Sequence, residues 1–432
     1  MGIIRKGDNM KYTKKDLGSY NLHLIHTDKL KTITIRVIFH TPIKKEEITK
    51  RTLLTDILLQ SSNKFPTRRD LTIQSEELYA CNLSSNNQRL GNYIMTSFDL
   101  RVLMDKYTEE NNLEKSIEFL SEVIFNPDIE NNAFMEERLE LVKHNALIAI
   151  NSIKESPTSY SLLKMYEAYD KDNPVSYSIL GYVSDLEKID SKNLYDTYNK
   201  MINTDYVDIF VVGDFDNKEM LTTIKRYFKL KKIKKPKGDY YIKNKKVRKR
   251  RIFPKEEIDN SQSQLSILAP ISKMPKYEKN YALVLGNIIF GSGVDSKLFR
   301  EVREENSLCY TINSHINKLD NMMIITAGID RENYHKTVDL ITKKLEDMKK
   351  GKFTNDDIKT AVEIYKSNLE NIDENENKMI NEYLFHEIID TDDLETRLEI
   401  ISKVKKQDIV KAMKKVSIDT VFLLEGVGNE KD

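Results

Sequence analysis

Only two cysteines, Cys81 and Cys309, occur in 432 residues. A disulfide-held extracellular chain of this size would use more, so both are expected to be reduced thiols. Long apolar runs are missing too. The best stretch is the short VLGNIIFG at 284–291, well below the roughly 18 residues that a spanning helix needs. The N-terminus, MGIIRKGDNMKYTKK, is basic without a following apolar segment, so it reads as neither a secretory signal nor an anchor. Lys6 stands where a myristoylation signal has Ser or Thr. Charge of one sign is also lacking: 69 basic and 68 acidic side chains leave a formal net charge of +1, so no global field draws the chain to nucleic acid or an acidic membrane. A soluble cytoplasmic protein with no membrane partner is expected.

Familiar catalytic signatures are sparse. FGSGVDSK (290–297) is not a phosphate loop, because Ser296 precedes Lys297 and Leu298 follows. It reads as a tight turn with Asp295 or Ser296 capping the next helix. His23 and His26 form an HxxH, but on a strand their odd spacing puts the rings on opposite faces. His40, His144, His315, His335 and His386 are scattered singly and read as surface or satisfied side chains. No His/Cys/carboxylate group has zinc-site spacing, and no Gly-x-Ser-x-Gly occurs.

What the chain does contain is an internal echo. TRRDLTIQSEELYACNLSSNNQRLGNYIMTSF (67–98) aligns with DSKLFREVREENSLCYTINSHINKLDNMMIIT (295–326): Glu77 meets Glu305, Cys81 meets Cys309 and, after a one-residue shift, Leu90 and Asn92 meet Leu319 and Asn321. Residues 183–215 and 398–428 match in the same order, each giving a short helix, a longer helix and an apolar strand ending at Gly. Such repeats mark a duplicated unit. Residues 32–39, TITIRVIF, alternate as a half-buried strand, helices follow at about 46–60 and 67–79, and Gly91-Asn92 marks a hairpin. Long helices fill 110–170. Strands in adjacent pairs with helices grouped between them point to an α+β fold of two homologous halves, each a mostly antiparallel sheet faced by helices. The expected boundaries are a first half at 1–228, a linker at 229–257 and a second half at 258–432. The linker is basic, broken by Pro236-Lys237-Gly238, and reads as exposed; its Lys/Arg run with Tyr240 and Tyr241 leaves a nucleic-acid-binding alternative open.

The most specific stretch is SKLFREVREENSLCYTINS (296–314). Leu298, Phe299 and Val302 form the stripe of a short helix, Asn306 is placed to close it in a left-handed turn, and Leu308, Tyr310 and Ile312 alternate as a strand. Arg303 thus ends a helix and Tyr310 opens a strand. A merely structural alternative gives Arg303 an ion pair with Glu304 or Glu305 and Tyr310 a buried hydroxyl.

With its Gly-rich turn, Ser-x-Leu-Phe, and Arg and Tyr seven residues apart, this stretch resembles the second-half signature of the M16 metallopeptidases. The resemblance spans nearly the whole chain, because VDIFVVGDFD (207–216) and QLSILAP (264–270) are similar to strands that close the family's first half and open its second. A Gly usually precedes the signature Leu; Ser307 stands there. The larger departure lies at 48–71. Where active members carry His-x-x-Glu-His, this chain has Leu53, Asp56 and Ile57, and the downstream Glu falls on Leu147 in the preferred register. Neither Leu nor Ile can ligate zinc. The resemblance therefore implies no zinc in this chain and a zinc-bearing M16 subunit as partner. Together they would act on peptides or small proteins, with Arg303 and Tyr310 reaching substrate at the partner's active site. A scaffolding M16-like protein without substrate contact is the alternative.

Overall fold

The computed structural model of the chain describes residues 11–109, 111–232, 239–244, 248–370, 372–389 and 391–428. Its first sheet uses β1 (Lys11–Asp16), β2 (Asn21–His26), β3 (Thr32–Pro42), β4 (Asn82–Leu90) and β5 (Tyr93–Leu103). After a two-residue ladder, β6 (Ile129–Glu130) with β7 (Ala133–Phe134), the sheet is completed by β8 (Tyr206–Gly213). The order is β1-β2-β8-β3-β5-β4, antiparallel throughout except for β2 beside β8. On β3, Ile33, Ile35, Val37 and Phe39 join the core formed by helices Lys45–Ile57, Asn112–Phe125, Glu136–Asn151 and Ser191–Thr204. Thr34, Arg36, Ile38 and His40 turn to the other face, as the period of two requires. Gly91, at φ +57°, and Asn92 form the hairpin turn between β4 and β5.

The second sheet contains β9 (Lys255–Ile258), β10 (Ser263–Pro270), β11 (Cys309–Asn317), β12 (Met322–Ile329) and β13 (Thr420–Gly426), in the order β11-β12-β10-β13-β9. Its neighbours are antiparallel except β9 beside β13. Strand for strand this repeats β4-β5-β3-β8-β2, with the parallel pair in the same place. The fold is α+β and duplicated.

The compact units do not follow the halves of the sequence. Residues 152–177 group with the second sheet and 371–385 with the first. On the second sheet, Tyr160, Met165 and Tyr169 of helix Pro157–Asp170 pack with Leu268, Met322, Ile324, Phe422 and Leu424, and the Ser161 and Ser266 hydroxyls bond at 2.8 Å. On the first sheet, Tyr383 of helix Glu376–Ile389 stacks on Tyr12 at 3.8 Å, and Arg36 Nη2 donates to Asn377 at 2.7 Å. Each half thus lends one helix to the sheet built by the other. Both sheets are otherwise left with an apolar face toward water, which the hydrophobic effect disfavours.

The described linker residues are mostly exposed, as expected, yet several are anchored to the second sheet. Ile242 is buried, and its backbone is bonded to Leu319 and to the Asn321 side chain. The Arg248 backbone N–H donates to Asp419 at 3.0 Å. Lys279 sits 4.0 Å over the Tyr241 ring, and residues 255–258 are strand β9. Backbone partners in the second sheet outweigh local charge. Pro236-Lys237-Gly238 lies outside the described residues. No helix among the described residues is long and apolar enough to cross a membrane.

The helix exchange predicts an asymmetric response. Met165, fully buried, replaced by Ala should cost about 2–5 kcal/mol and deprotect amides of β10 and β13 in hydrogen exchange while β2 and β3 stay protected. Equal loss in both sheets would contradict the exchange.

Candidate functional site

Leu53, Asp56 and Ile57 lie in the last turns of helix Lys45–Ile57. Leu53 is 0% and Ile57 2% exposed, both inside the first core with Leu54 and Leu58. Asp56 is half-buried at the helix's edge; burial pushes its carboxyl up, against the pull of Arg68. On the facing helix Glu136–Asn151, Leu139, Val142 and Ala146 are buried and Leu147 packs partly buried on the same core. Lys143 pairs with Glu140 at 2.9 Å, and His144 is exposed. These residues do not fit zinc: the imidazole positions hold packing side chains, and no group of three His, Cys, Asp or Glu among the described residues could hold a metal.

Arg303 and Tyr310 stand on consecutive elements of the second unit, Arg303 in the turn Phe299–Glu305 and Tyr310 in β11. Ser296 caps the incoming helix by accepting from the Phe299 N–H at 3.3 Å. Phe299–Glu305 then widens into a π-helical turn. Asn306 does not take the left-handed conformation expected of it: its φ is −110°, and its side chain donates to the Glu301 carbonyl at 2.8 Å. Ser307 takes that conformation instead, at φ +51°, the position where the family signature has Gly. The strand alternation is also broken. Cys309 faces Ile329 and Thr311 faces Gly328, which makes Tyr310 the extra residue of a β-bulge. Leu308 and Ile312 stay buried while Tyr310 is 57% exposed.

Arg303 is exposed, with its guanidinium 4.6 Å over the Phe299 ring. It lies close enough to Cys309 to pull that thiol down, though burial prevails and pushes it up to about 11. Among the described residues Arg303 has no ion pair with Glu304 or Glu305, and Tyr310 is not inside the core. The first half provides an internal comparison. There the left-handed turn recurs at Tyr79 and Ala80, but helix Arg68–Glu77 is a regular α-helix and β4 pairs β5 without a register break.

A third cluster has no counterpart in the sequence reading. His23 Nε2 lies 3.0 Å from Asp208 Oδ1 and His40 Nε2 3.1 Å from Oδ2, with all three side chains essentially excluded from solvent. Asn21 Nδ2 donates to the same carboxylate at 2.9 Å, and the Tyr12 hydroxyl bonds His23 Nδ1 at 2.8 Å. His23 and His26 do point to opposite faces: His26 is half-buried and pairs with Asp214 at 3.2 Å. His40, however, is no surface residue. Burial works to raise the Asp208 carboxyl, but hydrogen bonds from both imidazoles overcome it and hold the group well below the usual carboxylate range.

Residues 188–365, which include the whole Arg303/Tyr310 stretch, match the family description "Peptidase M16 inactive domain". The chain carries an M16 inactive domain. YmfF of Bacillus subtilis, described as a probable inactive metalloprotease, is 28% identical over 419 residues, covering 96% of this chain and 97% of that one. A conserved protein from Enterococcus faecalis superposes with a TM-score of 0.87 at 27% identity, over 97% of this chain and 100% of its own. The peptidase M16 inactive domain from Pseudomonas fluorescens shares the fold, with a TM-score of 0.76 at 16% identity over 98% of this chain and 100% of its own. The resemblance drawn from the signature stretch therefore holds: the chain is M16-like, and the relatives it matches include one described as a probable inactive metalloprotease.

The buried carboxylate has a pH signature. Its depressed folded value means that Asp208 stabilises fully above about pH 4, the unfolded aspartate range. Below that the unfolded chain takes up a proton that the folded chain does not, and stability falls by up to about 1.4 kcal/mol per pH unit. Asp208→Asn should cost about 3–5 kcal/mol at pH 7 and remove that acid slope in urea unfolding; an unchanged slope would place the titration elsewhere. Separately, the purified chain should bind less than stoichiometric zinc at the Leu53/Ile57 helix, measured by metal analysis after dialysis.

Proposed function

We propose that this M16-like chain is the zinc-free subunit of a two-chain cytoplasmic peptidase, paired with a zinc-bearing M16 subunit and acting on peptides or small proteins. The observation that supports this reading is the exposure of Arg303 and Tyr310 on a π-turn and a strand bulge that the first repeat copy lacks at the matching place. Irregular turns of both kinds recur at functional sites. The partner brings the metal and its hydrolytic water. This chain's residues bind and orient: the planar Arg303 fork fits a backbone carbonyl, and the Tyr310 hydroxyl can donate to an oxygen that gains negative charge.

Mixing the chain with its zinc-bearing M16 relative from the same organism tests this. The expected result is no peptidase activity from this chain alone and turnover by the mixture. Tyr310→Phe should lower kcat of the mixture about 10²-fold, the usual effect of losing one oxyanion donor. Turnover unchanged by Arg303→Ala and Tyr310→Phe would instead support a scaffolding role.

A further inference from the structure

The cations around the signature turn are held in different ways. Lys297 and Arg300 share Asp357, at 3.5 and 3.1 Å, and Lys344 pairs with Glu301. Arg303 instead lies over an aromatic ring, its guanidinium carbon 4.6 Å from the Phe299 centroid. The two residues are four apart on one face of the turn, where side chains meet. The choice of partner has a chemical consequence. A carboxylate would occupy the in-plane N–H donors of the guanidinium, whereas a ring attracts its flat face and leaves those donors available. The backbone that carries the ring is held in place. The Phe299 N–H is bonded to the Ser296 cap, and Leu298 and Val302 on either side are fully buried.

We infer that Phe299 is a positioning residue: it holds the Arg303 guanidinium by its face so that its in-plane donors stay free for a substrate carbonyl. This deepens the proposed function and rests on it. Leu at 299 keeps apolar volume but lacks the quadrupole, and Trp keeps the quadrupole.

The test has two arms. On the chain alone, the Arg303 Nε–H proton should be shifted upfield by the ring current in NMR spectra, and Phe299→Leu should abolish the shift; no shift in the unmodified chain overturns the inference. In the two-chain mixture, Phe299→Leu should lower kcat/KM about three- to tenfold, mainly through kcat. Phe299→Trp should restore most of it, and Phe299→Leu should add less than twofold in an Arg303→Ala background. An equal loss in both backgrounds means core packing and overturns the inference while leaving the proposed function intact. If Arg303→Ala itself changes nothing, the role of Arg303 in the proposed function falls, and the inference falls with it.

Discussion

A β-sheet buried on both faces must be covered twice, and this requirement governs the whole chain. All eight residues of β8, all eight of β10 and all seven of β13 are buried. The mostly apolar runs of β8 and β13 are what strands covered on both sides require, while β10 also buries Ser263, Gln264 and Ser266. Each half supplies its own sheet with helices on one face only. The second cover comes from the other half, as Pro157–Asp170 on the second sheet and residues up to Phe385 on the first. The chain must therefore pass between units more than once, and a cut within the basic 229–257 segment would separate each sheet from its second cover. That segment is a connector whose end becomes strand β9.

Double cover also explains the polar cluster. A face turned to solvent could carry Asp208 and two histidines at little cost, but beneath a helix an unpaired carboxylate would cost several kcal/mol. The sheet meets this with donors from both neighbouring strands: β2 supplies His23 and Asn21, and β3 supplies His40. Ser161 and Ser266 do the same on a smaller scale under the second sheet's borrowed helix.

The sequence made local features legible. The TITIRVIF alternation, the Gly91-Asn92 turn, the Ser296 cap and the core spacing of Leu53, Leu54, Ile57 and Leu58 depend on residues a few positions apart, and each took the expected place. The repeat was legible because both copies keep one strand order. The helix exchange was not, because an amphipathic stripe states that a face is buried but not against which sheet. The His23–Asp208 contact joins residues 185 positions apart, and no spacing rule spans that distance. In the signature, the π-turn and the bulge at Tyr310 shifted both periods at once, so the expected left-handed residue fell one position early and Tyr310 left the Leu308/Ile312 face. The Ser307 substitution for Gly was the available clue to the left-handed site.

The two M16 landmarks in this chain therefore relate to stability in opposite ways. At the position where the resemblance would place zinc ligands, Leu53 and Ile57 fill the core, and burying two such side chains contributes about 1.5–3 kcal/mol each. That helix is explained by packing alone. The turn from Phe299 to Tyr310 has no such explanation: it gives up regular helical geometry, breaks a strand register and leaves Arg303 and Tyr310 in solvent. The first copy shows that the same topology can be built with a regular helix and an unbroken hairpin. A second π-helical turn in the same copy, Glu278–Ala282, is buried, so such a turn is compatible with packing; what packing does not account for in the signature is that Arg303 and Tyr310 stay exposed on it and on the adjoining bulge.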